Sequence, residues 1–218
     1  MFEVINAGIR FSDQNNRNWL FRNVNFTISE GEIVALMGPS GIGKTTLIQG
    51  IAGLRPLTEG YSILDGKKIS GVPQRQVRKH LRKHISMVFQ NHLLVPGLTL
   101  LENIELSWAL AGHPGGYSPE EVLDSLRIGS ERYSLPESVS GGQSQRAAVA
   151  RALVSNPKLL LADEPTGALD TENAQRAFDE IFSMCRLQHS HVLIVTHDPN
   201  IAQKCDRIIR LESGVIHD

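Results

Sequence analysis

Gly38-Pro39-Ser40-Gly41-Ile42-Gly43-Lys44-Thr45 is the stretch from which the rest of the chain can be read. It has the form G-x-x-x-x-G-K-T. Before it, Ile33-Val34-Ala35-Leu36-Met37 is a short apolar run between Gly31 and Gly38, the pattern of a strand buried on both faces. After it, residues 46–54 carry apolar side chains at helical spacing. Strand, glycine loop and helix in that order are what a phosphate-binding loop requires. Glycines let the backbone turn its N–H groups into a concave nest, and the following helix adds the positive end of its dipole. Lys44 is then placed to reach the β- and γ-phosphates of a nucleotide, and the Thr45 hydroxyl to hold Mg²⁺.

The 218 residues suffice for a substantial core, and 21% charged residues mark a globular rather than a disordered chain. A net charge of −1 gives no support to a dedicated nucleic-acid binder. No apolar run approaches the roughly 18 residues that span a membrane, and Met1-Phe2-Glu3-Val4 shows no leader pattern. Cys185 and Cys205 have no metal-type spacing. The expectation is a soluble cytosolic α/β protein with reduced thiols.

Upstream of the loop, residues 2–9 and 24–28 read as strands joined by the polar stretch 12–18. Phe11 and Trp19 lie near that stretch; either can stack on a nucleotide base, or both can be packing residues. Residues 61–69 read as a hairpin turning at Asp65-Gly66. A basic run follows, Arg75, Arg78, Lys79, His80, Arg82, Lys83 and His84, suited to lipid headgroups or nucleic acid but read first as a solvated helix face. It leads into a strand at 85–89 that ends at Gln90. Breakers at Pro96-Gly97, 112–116 and Ser118-Pro119 cut residues 93–135 into short helices. One of these opens on a capping box, Ser118 with Glu121. This part interrupts the strand–helix alternation, so residues of about 92–150 are expected to form an inserted helical subdomain within a single 1–218 domain.

Val139-Ser140-Gly141-Gly142-Gln143 opens a long helical stretch. A capping box explains Ser140 and Gln143 but not two glycines, each costing roughly 1 kcal/mol against alanine in a helix. Bare N–H groups at a helix start suit an anion, and a phosphate-binding role is favoured. Residues 158–162 form an apolar strand ending in Asp163-Glu164. Acidic residues at that edge of an open α/β sheet sit where ligands bind: Asp163 for the magnesium shell, Glu164 to orient or deprotonate a water. A helix over about 172–185 and a strand over 192–196 follow, the strand ending at His197 on the same kind of edge. The other seven histidines are read as structural.

In this order the phosphate loop, Gln90, the 139–143 signature, the acidic pair after 159–162, Ala168-Leu169-Asp170 and His197 resemble the nucleotide-binding subunit of ATP-binding-cassette (ABC) transporters over essentially the whole chain. The nearest subgroup is the LolD/MacB/FtsE type, which residues 163–170, 194–199 and 88–91 resemble. The resemblance implies an α/β fold with a P-loop NTPase (RecA-like) core of mostly parallel strands, an antiparallel β subdomain and an inserted helical subdomain. It implies ATP and Mg²⁺ as cofactors, with Glu164, His197, Gln90 and Lys44 catalytic. Nucleotide contacts fall on Phe11, Gly38, Pro39, Ser40, Gly41, Ile42, Gly43, Lys44, Thr45, Thr46, Ser140, Gly141, Gly142, Gln143 and Asp170. Thr45, Gln90 and Asp163 would hold the metal.

It further implies a head-to-tail dimer of two copies around two ATP, and a separate integral membrane permease, of few spans with a large extracytoplasmic domain. The subunit would lie on the cytoplasmic face of the inner membrane and bind no nucleic acid. The sequence departs from the family pattern at Ile42, Val139, Ser144 and Phe11, where a small residue, leucine, glutamine or lysine, and tyrosine are usual. None of these removes a charged or metal-binding group. Export of a lipoprotein, peptide or drug, an FtsE-like transmembrane signalling complex and a soluble remodelling ATPase remain open.

Overall fold

The computed structural model describes residues 1–10, 18–165 and 171–217, with only the backbone for 171–177. The chain divides into two compact units, Met1–Leu81 with His191–Asp218, and Arg82–Ser190.

The first unit opens with β1 (Phe2–Arg10) and β2 (Trp19–Ile28), followed by β3 (Ile33–Met37), α1 (Lys44–Ile51), β4 (Glu59–Leu64), β5 (Lys67–Lys68) and α2 (Gln74–Lys83), whose last turn crosses into the second unit. β2, β1, β4 and β5 make an antiparallel sheet in that order. Asp65 and Gly66 both have positive φ, 48° and 74°, the backbone of the tight hairpin turn expected there. β2 starts at Trp19 instead of residue 24, because its first residues pair with the end of β1: Trp19 lies opposite Arg10. The Arg10 and Arg22 guanidiniums lie over the Trp19 ring, at 4.1 and 4.6 Å. Its rings are therefore packing surface for the arginines; Phe11 lies outside the described residues.

The second unit begins with β6 (Ile85–Val88) and continues through α3 (Leu100–Ala111), α4 (Pro119–Ser125), α5 (Gly141–Leu153), β7 (Leu159–Asp163) and α6 (Thr171–Leu187). β6 and β7 run parallel, Val88 opposite Ala162. α5 packs on α3, α4 and α6 through small side chains, with Ala147, Ala148, Val149 and Ala150 all buried. The Ser118–Glu121 capping box is formed. Besides the stretch 92–150, this unit holds β6, β7 and α6.

The chain then returns to the first unit with β8 (His191–Val195), α7 (Pro199–Lys204), β9 (Arg207–Glu212) and β10 (Val215–His217). β8, β3 and β9 are parallel, and β10 turns back along β9. β3 is buried from Ile33 to Leu36 and β8 along its whole length. Covered on both faces, such strands have no polar alternation. Arg207 donates to Glu32 at 2.9 Å, and the Ile33 N–H donates to Asp206 at 2.8 Å, fixing the register where β3 and β9 begin. α7 was not foreseen: its six residues are too few for a periodic signal, and its start is set by Asp198, which caps it.

Candidate functional site

The phosphate loop follows directly from the end of β3. Gly38, Gly41 and Gly43 have φ of 152°, 78° and 107°, conformations that side-chain-bearing residues rarely adopt. A Cβ on Gly38 would stand 2.4 Å from the Leu211 carbonyl oxygen, and one on Gly43 would stand 2.8 Å from the Leu20 side chain. The loop is thus pressed between β9 and β2 of its own unit. Pro39, Ser40 and Gly41 are exposed and Ile42 is half-buried, with the Ile42 N–H reaching the Pro39 carbonyl at 3.4 Å. Gly43 is the N-cap of α1, and no side chain caps this end. The first backbone donors of a helix have no intrahelical acceptor, so this end is open to an anion.

Lys44 is buried, and its ammonium donates to the Gly38 and Pro39 carbonyls at 2.7 and 2.9 Å. With three N–H donors on the ammonium, one remains for a phosphate oxygen inside the loop. Thr45 is exposed and Thr46 half-buried on the first turn. Bare donors, a cradle that a Cβ would fill and a held cation suit an oligophosphate.

His197 belongs to the same edge. Leu36 of β3 lies opposite Val195 of β8, so Gly38 and His197 each follow by two residues. The Thr196 N–H donates to the Leu36 carbonyl at 3.3 Å. The Thr196 hydroxyl accepts from the Asp198 N–H at 3.0 Å, and the Asp198 carboxylate accepts from the Asn200 N–H at 2.8 Å. These bonds fix the backbone on both sides of the exposed His197 side chain.

The second unit has a matching edge. Val88 and Ala162 are paired, and Gln90 and Glu164 each lie two residues beyond. Gln90 is exposed; Asp163 ends β7 and is buried. Glu164 has φ of 47° and precedes Pro165, a sparsely populated conformation of the kind that gathers at functional sites. At the start of α5, the Ser140 hydroxyl accepts from the Gln143 N–H at 3.2 Å, and the Gln143 side chain accepts from the Ser140 N–H at 2.8 Å. The capping box is real, so the Gln143 amide oxygen is engaged. Gly141 and Gly142 occupy the first turn inside it. Capping and anion binding are therefore compatible: the side chains close the box while two bare glycines cover the outer surface.

Sequence reasoning missed Arg151. From the last turn of α5 its guanidinium donates to the carbonyls of Leu93 and His92, the latter at 3.0 Å. Both acceptor residues have positive φ, 55° for His92 and 50° for Leu93. Burial lowers the pKa of the guanidinium. A lone arginine late in a helix reads as an ordinary end-of-helix cation, so no local pattern marks it.

A family profile described as ABC transporter matches residues 21–167. The chain belongs to the ABC transporter family. It is 40% identical over 206 residues to the uncharacterized ABC transporter ATP-binding protein MJ0796 of Methanocaldococcus jannaschii, covering 91% of this chain and 87% of that one. It is also 40% identical over 206 residues to the lipoprotein-releasing system ATP-binding protein LolD of Novosphingobium aromaticivorans, covering 90% and 89%. A solved dimeric structure of MJ0796 superposes with a TM-score of 0.90 at 35% identity, covering 100% of this chain and 97% of that one. A second, described as a post-hydrolysis state bound to ADP and Pi, gives the same TM-score at 34% identity. The chain is an ABC ATPase cassette similar to the LolD-type subgroup. In this cassette Asp170 and the rest of the 166–170 loop lie outside the described residues, as Phe11 does.

Proposed function

We propose that this cassette hydrolyses ATP as a head-to-tail dimer and so drives a separate membrane permease. The observation that carries the reading is the phosphate loop, where Gly38 and Gly43 tolerate no side chain and Lys44 is held inside by the Gly38 and Pro39 carbonyls. Gly41, Gly43, Lys44, Thr45 and Thr46 present N–H groups to the phosphates, with Pro39, Ser40 and Ile42 completing the loop and Phe11 stacking on the base. Thr45, Gln90 and Asp163 would hold Mg²⁺, which when bound would supply positive charge beside the phosphates. Glu164 orients and deprotonates the attacking water, and His197 and Lys44 bind the γ-phosphate. Ser140, Gly141, Gly142 and the Gln143 backbone of a second copy close over that phosphate, and Asp170 is a further nucleotide-contact residue.

The γ-phosphate then acts as the link between copies, and its loss opens the dimer. The exposed Leu93 and Val95 after Gln90, with Leu106 and Leu110 on α3, suit an apolar permease segment. The similarity to LolD supports export or extraction of a lipoprotein, peptide or drug at the cytoplasmic face of the inner membrane, through a permease of few spans with a large extracytoplasmic domain.

The Glu164→Gln variant tests this reading. It is expected to bind ATP, to lose turnover by on the order of 100-fold or more and to accumulate as a closed dimer. Rapid turnover would remove Glu164 from its role. Pulled from detergent-solubilised membranes with ATP, the same variant should retain a few-span membrane protein. Recovery of a soluble complex alone would turn the assignment to a remodelling ATPase.

A further inference from the structure

α2 carries Arg75, Arg78, Lys79, Arg82 and Lys83 and no acidic residue over its 10 positions. At about 100° per residue the five fall on one side of the helix, opposite Val77, its buried residue. All five are exposed, as are Lys67 and Lys68 on the neighbouring hairpin. Hairpin and helix share one field: burial first, then the Lys67 and Lys79 ammonium groups, hold the His80 imidazole below its ordinary pKa.

Among the described residues none of these seven cations has an ion pair. Paired arginines lie elsewhere, among them Arg22 with Glu59, Arg127 with Glu180, Arg132 with Asp124 and Arg207 with Glu32. Like charges meet on α2 at helical neighbours 75/78, 75/79, 78/82, 79/82 and 79/83, an arrangement that destabilises an isolated helix. The chain has 22 basic and 23 acidic residues, so setting these seven aside leaves 15 against 23. The rest of the chain thus carries a net negative charge, while this face concentrates positive charge.

We propose that the cationic face of α2, with Lys67 and Lys68, rests on the anionic headgroup surface of a membrane. The inference rests on the reading of the chain as the ATPase of a membrane permease. A headgroup surface is a diffuse array of negative charge in which each cation contributes independently. A single-stranded nucleic acid calls instead for aromatic platforms between the cations. α2 has no Phe, Tyr or Trp, and the Tyr61 ring of the hairpin is covered by the Lys68 ammonium at 3.7 Å.

The test is co-sedimentation of the full chain with vesicles of phosphatidylcholine alone and of phosphatidylcholine mixed with phosphatidylglycerol. The chain is expected to bind only the mixed vesicles and to leave them at about 1 M salt, where the Debye length falls to about 3 Å. Arg75→Gln, Arg78→Gln and Arg82→Gln together should weaken vesicle binding on the order of 100-fold, with ATPase activity in solution unchanged. The three corresponding Arg→Lys changes should retain binding. Binding to neutral vesicles as well, no binding to mixed ones, or loss in the Arg→Lys variant would each overturn the proposal. So would tighter binding of the same cations to DNA or RNA than to vesicles. A chain that hydrolyses ATP but ignores mixed vesicles refutes the headgroup contact alone; one that binds vesicles without hydrolysing ATP refutes the functional reading instead.

Discussion

Lys44 shows how one side chain serves both fold and chemistry. Its ammonium is buried and bonded to two carbonyls of its own loop. Those carbonyls hold the loop's curvature around the positive charge, which is then already in place when a phosphate arrives. Lys44→Ala removes the charge and both bonds, while the left-handed glycines keep the loop's backbone conformation. The expected result is a folded protein whose ATPase kcat/KM falls on the order of 100-fold or more, measured beside an unfolding curve. Wild-type activity in that variant would remove the phosphate-loop assignment. Glu164 is the other residue on which chemistry and backbone meet, since its φ of 47° is imposed at a strand end immediately before a proline. That conformation has no mark in the sequence, and only the position of Glu164 after an apolar strand pointed to it.

At the scale of elements, α5 joins two tasks at opposite ends. Its first turn carries the Ser140–Gln143 box around two glycines, and its last turn carries Arg151, bonded to the carbonyls of His92 and Leu93 a little beyond Gln90. Asn103 of α3, fully buried, holds the next stretch: it accepts from the Val95 N–H at 2.7 Å and donates to the Leu98 and Thr99 carbonyls at 3.1 and 3.0 Å. The segment after Gln90 is thus irregular in backbone, with several of its N–H and carbonyl groups bonded by side chains from α3 and α5. Two substitutions separate the tasks at the first turn. Ser140→Ala loses the cap and about 1 kcal/mol of stability, seen as a lower melting temperature, together with activity. Ser140→Asp keeps a good cap but sets a carboxylate where a phosphate should bind, so stability is held and ATPase activity is lost. Equal activity in Ser140→Asp and wild type would leave the signature a cap and nothing more.

Across the whole molecule, what was legible in the sequence follows from how many residues specify each feature. The buried strands were plain because β3, β7 and β8 each contain an unbroken apolar run, and β3 spans Ile33–Met37 as expected. The hairpin was plain because Asp65-Gly66 accommodates positive φ at both positions. The early start of β2 depends on pairing with Arg10 across the intervening polar stretch, and the clasp of Arg151 on partners distant in sequence, His92 and Leu93. The candidate site is likewise legible only as separate pieces, each at a strand end or a helix start.

Whether one chain's pieces act on one nucleotide is a question about the dimer. A two-fold interface makes every contact twice, so a head-to-tail pair contains two sites, each with the phosphate loop of one copy and the signature of the other. Mixing Lys44→Ala with Ser140→Asp tests this directly. In a mixed dimer one site carries both lesions and the other carries neither. Each variant alone is inactive, yet an equal mixture should recover about a quarter of the wild-type sites, since half the dimers are mixed and one site in each is whole. Recovery should rise with protein concentration, vanish when the Ser140→Asp variant, which supplies the intact phosphate loop, also carries Glu164→Gln, and persist when the Lys44→Ala variant carries it instead. A mixture as inactive as its components would place loop and signature of the same copy around each nucleotide and overturn the head-to-tail arrangement.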